Sequence, residues 1–417
     1  MDEIALSEVS SIYSGFAFKS SDLQKSEGIP IIKIANIHDR NVSSECIDYL
    51  PKSLYAQKLD RYTLQKNDIL IAMTGAGSVG KVGKMRIVTR QFLVNQRVAI
   101  VRINPIRYYP EFAYQVLSNG EYEKFLYQIG LGAGQPNISP SDIGNLIIRN
   151  PPLFTQQKIA AILSAYDTLI ENNTRRIRIL EDMAQAIYRE WFVNFRFLGH
   201  EVVRMVESGL GPVPEGWEVC VLRSIAEVNS ESIKRDNEPD EIGYIDITSV
   251  STGSIDSINW MKYTDAPGRA RRIVRNGDTI WSTVRPNRKS YCLILDPEPN
   301  TIVSTGFAVI RAKEVPFTFL FHELTTDSFV SYLTNHATGA AYPAVKTDDF
   351  ENAKIIKPDD ETLIKFHEIV EPIYGIKSYL SQKNANLRRA RDLLLPKLIR
   401  GEIDVSDLNI RIPEAEA

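Results

Sequence analysis

Some stretches of this sequence carry residue types that do chemistry. Gly75-Ala-Gly-Ser-Val-Gly80-Lys81 fits the first seven positions of a phosphate-binding G-x-x-x-x-G-K-[ST] loop. In such a loop backbone N–H groups and the lysine cradle phosphates, and the last hydroxyl holds magnesium. Here the eighth residue is Val82, which has no hydroxyl. A loop of this kind must also open a helix whose N-terminus meets the phosphates. Val82-Gly-Lys-Met-Arg-Ile-Val instead reads as a turn into a strand. Asn150-Pro-Pro-Leu153-Phe154 comes close to the Asn-Pro-Pro-aromatic motif that holds a flipped adenine, but leucine stands where the stacking ring is needed. It reads as a loop that stops a strand before a helix. His38, His200, His322, His336 and His367 form neither a metal spacing nor a triad. Cys46, Cys220 and Cys292 are scattered and read as reduced thiols. The sequence therefore assigns no catalytic residue and no metal ligand, and the chain reads as no enzyme.

What remains is recognition chemistry. Between Ile69 and Asn104 lie Lys81, Lys84, Arg86, Arg90, Arg97 and Arg102, with no acidic residue. Between Arg269 and Lys289 lie Arg269, Arg271, Arg272, Arg275, Arg285, Arg288 and Lys289, against Asp278 alone. A basic stretch alone reads as a solvated face; its recurrence sets phosphate contacts beside that reading as an equal alternative. The net charge of −3 opposes a chain that binds nucleic acid unaided.

The elements that must position these residues come twice, about 210 residues apart. Leu6, Val9 and Ile12 answer to Leu222, Ile225 and Val228. Leu64-Gln-Lys-Asn-Asp68-Ile-Leu-Ile answers to Val274-Arg-Asn-Gly-Asp278-Thr-Ile-Trp, and Val98–Arg102 to Ala308–Arg311. Gly134-Gln-Pro-Asn-Ile-Ser with Asp142 answers to Ala341-Tyr-Pro-Ala-Val-Lys with Asp349. Asp68 and Asp278 each end a turn and are expected to bond local backbone. Such a period is far beyond that of a solenoid and means a duplicated module.

Each module reads as an α+β, strand-rich domain followed by a long helix. Ile29–Ile34, Asp68–Met73 and Arg97–Ile103 are apolar or alternating runs bounded by turn residues. A helical patch lies at Tyr109–Gly120. From Thr155 the apolar positions become helical: Ile159, Ile162, Tyr166, Leu169, Asn173, Ile177, Leu180, Ala184, Ile187 and Trp191. The second helix keeps a stricter heptad: Leu363, Phe366, Val370, Ile373, Lys377, Leu380, Asn384, Leu387, Arg391, Leu394 and Leu398. Asn173 and Asn384 fall at matching places, where buried polar groups fix register. Pro372 is expected to kink or interrupt its helix. The two seams are expected to pack antiparallel. The boundaries read 1–152 for the first domain, 153–198 for its helix, 199–216 for a Gly/Pro-rich linker, 217–358 for the second domain, 359–401 for its helix and 402–417 for a loose acidic tail.

In this order the residues resemble the specificity subunit of type I restriction–modification systems. The resemblance covers essentially the whole chain. It rests on the duplicated domain-then-helix order, on Gly211-Pro-Val-Pro-Glu-Gly-Trp217-Glu opening the second domain, and on Gln156-Gln-Lys-Ile-Ala-Ala-Ile-Leu. It rests also on the ending Leu393-Leu-Leu-Pro-Lys-Leu-Ile-Arg-Gly401-Glu-Ile. Asp360-Glu-Thr-Leu-Ile-Lys-Phe-His departs from the Gln-Gln-Lys-Ile form, so the resemblance does not imply symmetric engagement of partners by the two helix ends.

The resemblance implies two target-recognition domains, each reading half of a bipartite, asymmetric site in double-stranded DNA. It implies an antiparallel coiled coil that sets half-site spacing through Asn173, Ile177, Leu180, Ile187, Leu380, Asn384, Leu387 and Leu394. Two methyltransferase subunits carrying S-adenosylmethionine and motor-nuclease subunits using ATP and magnesium are the implied partners, in the cytoplasm, with no cofactor on this chain. Candidate DNA contacts are Lys81, Lys84, Arg86, Gln135 and Asn137 in the first domain, and Arg285, Asn287, Arg288, Lys289 and Tyr342 in the second. The rival reading is a coiled-coil scaffold joining two protein-binding domains.

Overall fold

The structure is a computed structural model that describes residues 3–86, 88–132, 134–234 and 236–412. It divides into two compact units, Met1–Asn172 with Asn384–Ala417, and Asn173–Lys383.

In the first unit a six-stranded sheet runs in the order Ser10–Ser14, Val98–Ile103, Ile69–Ala72, Val82–Lys84, Asn41–Val42, Ile37–His38. The near-continuous apolar run Val98–Ile103 is a strand buried on both faces. Ala99, Val101 and Ile103 turn to one core with Ile69 and Ile71, while Val98 and Ile100 turn to another with Leu70 and Ala72. That alternation follows from the two-residue period of a strand.

The second unit repeats the plan. Its sheet runs Ala226–Val228, Phe307–Ala312, Thr279–Ser282, Tyr291–Leu293. Ala308 and Ile310 face one core, Phe307 and Val309 the other. The registers correspond as well: Val101 pairs with Ile69 and Ile310 with Thr279. Each unit also opens alike. Leu6 N–H donates to Leu146 O and Leu222 N–H to Ala353 O, both at 2.9 Å.

Two long helices follow the two strand-rich regions: α1, Leu153–Tyr188, and α2, Asp360–Ile399. They pair antiparallel within each unit. In the first, Asp167 meets Arg391 and the Ile170 carbonyl meets Asn384; in the second, Glu181 meets Lys377 and Tyr188 meets Phe366. The heptad of α2 is buried or half-buried along its length. On α1, Ala184 is buried in one core with Phe366 of α2, Ile187 packs against that core, and Ile177 and Leu180 are half-buried.

Four expectations change. Leu169 is exposed, and the buried positions are Leu163, Asp167 and Ile170, because this part of α1 also packs against its unit's domain. Pro372 neither ends nor interrupts α2; it is exposed, so the carbonyl it leaves without an N–H partner can be met by solvent. The stretch 199–216 contains a hairpin, Met205–Ser208 with Gly211–Pro214. The tail is anchored: Val405 is buried with Leu395, Leu398 and Ile399, and Lys158 Nζ donates to the carbonyls of Val405 and Ser406.

Candidate nucleic-acid interface

One buried ion pair in each unit anchors, at the end away from the loop, the strand that leads into the candidate loop. Asp68 accepts from Arg102 Nε at 2.8 Å and Nη2 at 2.7 Å. Asp278 accepts from Arg311 Nε and Nη2 at the same distances. Each aspartate also caps its own turn, taking the N–H of Gln65 or Arg275 at 2.7 Å. Asp68 and Asp278 thus bond local backbone as expected, and each adds a fork-shaped arginine contact. That contact holds the strand entering the loop to the central strand.

The loops rise from the ends of these strands. In the first unit Ala72 leads through Gly75–Lys81 into the strand Val82–Lys84. The turn closes by Ser78 and Val79 N–H groups on the Gly75 carbonyl, so the phosphate-loop look-alike opens a strand and not a helix. A second loop, carrying Gln135 and Asn137, lies beside it: Gly75 N–H donates to Pro136 O at 3.1 Å, and Thr74 bridges Asn137. In the second unit Ser282 leads through Arg285–Lys289 into Tyr291–Leu293. Arg285 N–H donates to Pro343 O at 2.7 Å, and Val284 bridges Ala344. Both units therefore present the same two-loop platform.

On these platforms Lys81, Gln135 and Asn137 are exposed in the first unit, and Asn287, Arg288 and Tyr342 in the second. Arg285 is half-buried: its guanidinium lies 4.4 Å over the Tyr342 ring, and Nη2 donates to Ala341 O at 3.0 Å. Lys289, also half-buried, pairs with Asp327 at 2.8 Å.

Lys84 and Arg86 are elsewhere, and the expectation that they face DNA is not met. The strand Val82–Lys84 turns Lys84 inward, 6% exposed, where it pairs with Glu111 at 2.6 Å. Arg86 pairs with Glu111 at 3.3 Å and Asp167 at 2.9 Å. Asp167 also takes Arg391 at 2.7 Å and Gln115 Nε2 at 2.8 Å. Arg40, Lys84 and Arg86 lie 5.5, 5.9 and 5.3 Å from the centre of the Tyr114 ring. Burial pushes the Asp167 carboxyl up, but Arg40, Gln115, Arg391 and Arg86 together hold it below the usual carboxylate range. These cations tie the domain to α1 and α2 and are consumed inside the fold. The charge run gave no sign of this. The signal that could have found it is Asp167 itself, an acid one turn from two apolar seam positions.

Among the described residues no group of three or more His, Cys, Asp or Glu side chains could hold a metal ion. No helix among the described residues is long and apolar enough to cross a membrane.

Comparison with known proteins agrees with this architecture. Residues 1–182 match the family model described as the type I restriction modification DNA specificity domain. The chain is 28% identical over 311 residues to the type I restriction enzyme MjaIX specificity subunit of Methanocaldococcus jannaschii, spanning 72% of this chain and 70% of that one. It is 23% identical to the HindI specificity subunit of Haemophilus influenzae, over 82% of this chain and 87% of that one. The crystal structure of the type I restriction–modification S subunit from M. genitalium shares the fold, with a TM-score of 0.55, 15% identity, and coverage of 95% of this chain and 96% of that one. With its duplicated units, paired antiparallel helices and collinear relatives, this chain is similar along most of its length to type I restriction–modification specificity subunits, and its residues 1–182 match their DNA specificity domain.

Proposed function

We propose that the two units each read one half of a bipartite, asymmetric site in double-stranded DNA, and that α1 and α2 set the half-site spacing and dock two methyltransferase subunits. The observation that carries this reading is the repeated loop platform. Backbone hydrogen bonds and bridges recur in both units, while the exposed side chains differ throughout. A shared frame with divergent donors and acceptors suits two different sequences read in one way.

The candidate contacts are Lys81, Gln135 and Asn137 on one platform and Arg285, Asn287, Arg288, Lys289 and Tyr342 on the other. Lysines suit phosphates; arginine, asparagine and glutamine suit base edges. The chain's net charge of −3 fits partners that supply part of the positive clamp. Docking has a surface to use: on the second unit's helix segments Ile179, Met183, Ile369, Ile376 and Tyr379 remain exposed. S-adenosylmethionine would sit on the methyltransferase subunits, and ATP with magnesium on motor-nuclease subunits.

The test is a salt series on the complex assembled with its methyltransferase partner. Arg288→Ala is expected to weaken DNA binding across the series, with the fold intact. Unchanged affinity at every salt concentration removes Arg288 from the interface. No DNA retention by the assembled wild-type complex overturns the reading and leaves the scaffold alternative.

A further inference from the structure

At one place the two platforms share a backbone and differ in the side chains they present. The hydrogen bonds Gly75 N–H to Pro136 O and Arg285 N–H to Pro343 O superimpose the two loop pairs. They match Gly75 with Arg285 and Gln135 with Tyr342. Arg285 sits at φ 52°, in the left-handed region that disfavours a side chain, and Pro286 follows it. Such a conformation persists only where surrounding contacts hold it. Here Tyr342 stacks on the guanidinium and the Ala341 carbonyl holds Nη2. Among the described residues nothing else bonds the guanidinium, so the second hydrogen of Nη2 and those of Nε and Nη1 are free, which leaves one edge with two parallel donors. In the first unit Gly75 (φ 108°) contributes no side chain, and an added Cβ would lie 3.8 Å from Gln135 Nε2. The Gln135 carboxamide is exposed and bonds no described residue.

We propose that Arg285 and Gln135 are corresponding base readers, Arg285 for a guanine in one half-site and Gln135 for an adenine in the other. This rests on the DNA-reading function proposed above. Guanine shows two acceptors, O6 and N7, in the major groove, and a planar guanidinium edge carries two parallel donors to meet them. Adenine shows an acceptor and a donor, N7 and N6–H₂, which a carboxamide meets with its own donor and acceptor. Stacking on Tyr342 fixes the plane of Arg285 before DNA arrives, so less freedom is lost on binding. The missing side chain at Gly75 leaves the corresponding space in the first unit to Gln135 alone.

The test is single-molecule methylation profiling of DNA modified by the full complex. The variants are Arg285→Lys, which keeps the charge but loses the fork, and Gln135→Ala. Wild-type protein is expected to specify at least one G·C pair in one half-site and one A·T pair in the other. Arg285→Lys should lower discrimination at one G·C position by about tenfold to a hundredfold while every other position stays the same. Gln135→Ala should relax one A·T position in the opposite half-site. Tyr342→Leu should reduce methylation of the wild-type site without changing which bases are chosen. Unchanged preferences in Arg285→Lys, with a wild-type melting profile, overturn the assignment of Arg285. Both effects falling in one half-site overturn the correspondence. A wild-type complex that methylates no bipartite site instead defeats the underlying function.

Discussion

Gln115 and His322 occupy the same place in the two units and satisfy it by opposite chemistry. Gln115 donates to the Asp167 carboxylate on α1; His322 Nε2 meets the Tyr374 hydroxyl on α2 at 2.9 Å. One junction is ionic and the other neutral. Burial, with Lys377 adding to it, pushes the His322 imidazole down to about 3. The unfolded chain binds a proton near the ordinary value of about 6.5, and the folded unit does not until far lower pH. Stability is therefore full above that value and falls by about 1.4 kcal/mol per pH unit below it. The second unit should lose about 2 kcal/mol between pH 7 and pH 5 from this residue. His322→Gln, which installs the residue of the sister unit, should flatten that slope. Urea unfolding at the two pH values checks it by tryptophan fluorescence, because Trp191, Trp217, Trp260 and Trp281 all lie in the second unit; an equal slope in the variant rules His322 out as its source. Little of this was legible, because a lone histidine carries no sign of burial. The turn aspartates Asp68 and Asp278 were legible, since turn chemistry is local. The arginines that complete them were visible only as a recurrence, Arg102 and Arg311.

At the scale of elements, the helices show what periodicity can and cannot give. The heptad of α2 was readable because one face of it meets α1 along its length. The first half of α1 was misread by about one position, with Leu169 outside and Asp167 inside. There the helix serves two masters, α2 and the helix Pro110–Leu117 that carries Gln115, and the widened buried face no longer follows a coiled-coil seam. Asp167 is the knot of that second contact. Asp167→Ala would leave Arg40, Arg86 and Arg391 facing one another, with only Glu111 beside Arg86 and the more exposed Asp392 beside Arg391. Stranding buried charge in this way costs about 3–5 kcal/mol. Hydrogen exchange should then show loss of protection in the helix Pro110–Leu117 and in residues 153–172 together. Wild-type protection in both would mean that the network carries no net stability. The double variant Asp167→Ala with Arg391→Met should recover part of the loss.

For the whole molecule, the duplication was legible from collinear motifs, but the division into compact units was not. Chain order suggests a domain and then its helix. The units instead part within both helices, between Asn172 and Asn173 on α1 and between Lys383 and Asn384 on α2. Asn173 and Asn384, the polar members of the two seams, are both buried at these points. Asn384 spends a donor on the Ile170 carbonyl at 3.3 Å, a contact that a shifted register would break. An insertion in one helix alone should therefore be destructive, since it slips one seam against the other. A seven-residue block placed after Asn173, matched by seven residues before Asn384, keeps the heptad and lengthens both helices by about 10 Å. With DNA rising about 3.4 Å per base pair, the proposed spacing role predicts an unspecified spacer longer by about three base pairs, with both half-sites unchanged. Methylome sequencing of cells carrying the paired insertion reads this directly. A folded variant that methylates the original spacing, or one whose half-site bases change while the spacer does not, would show that the helices do not set the distance.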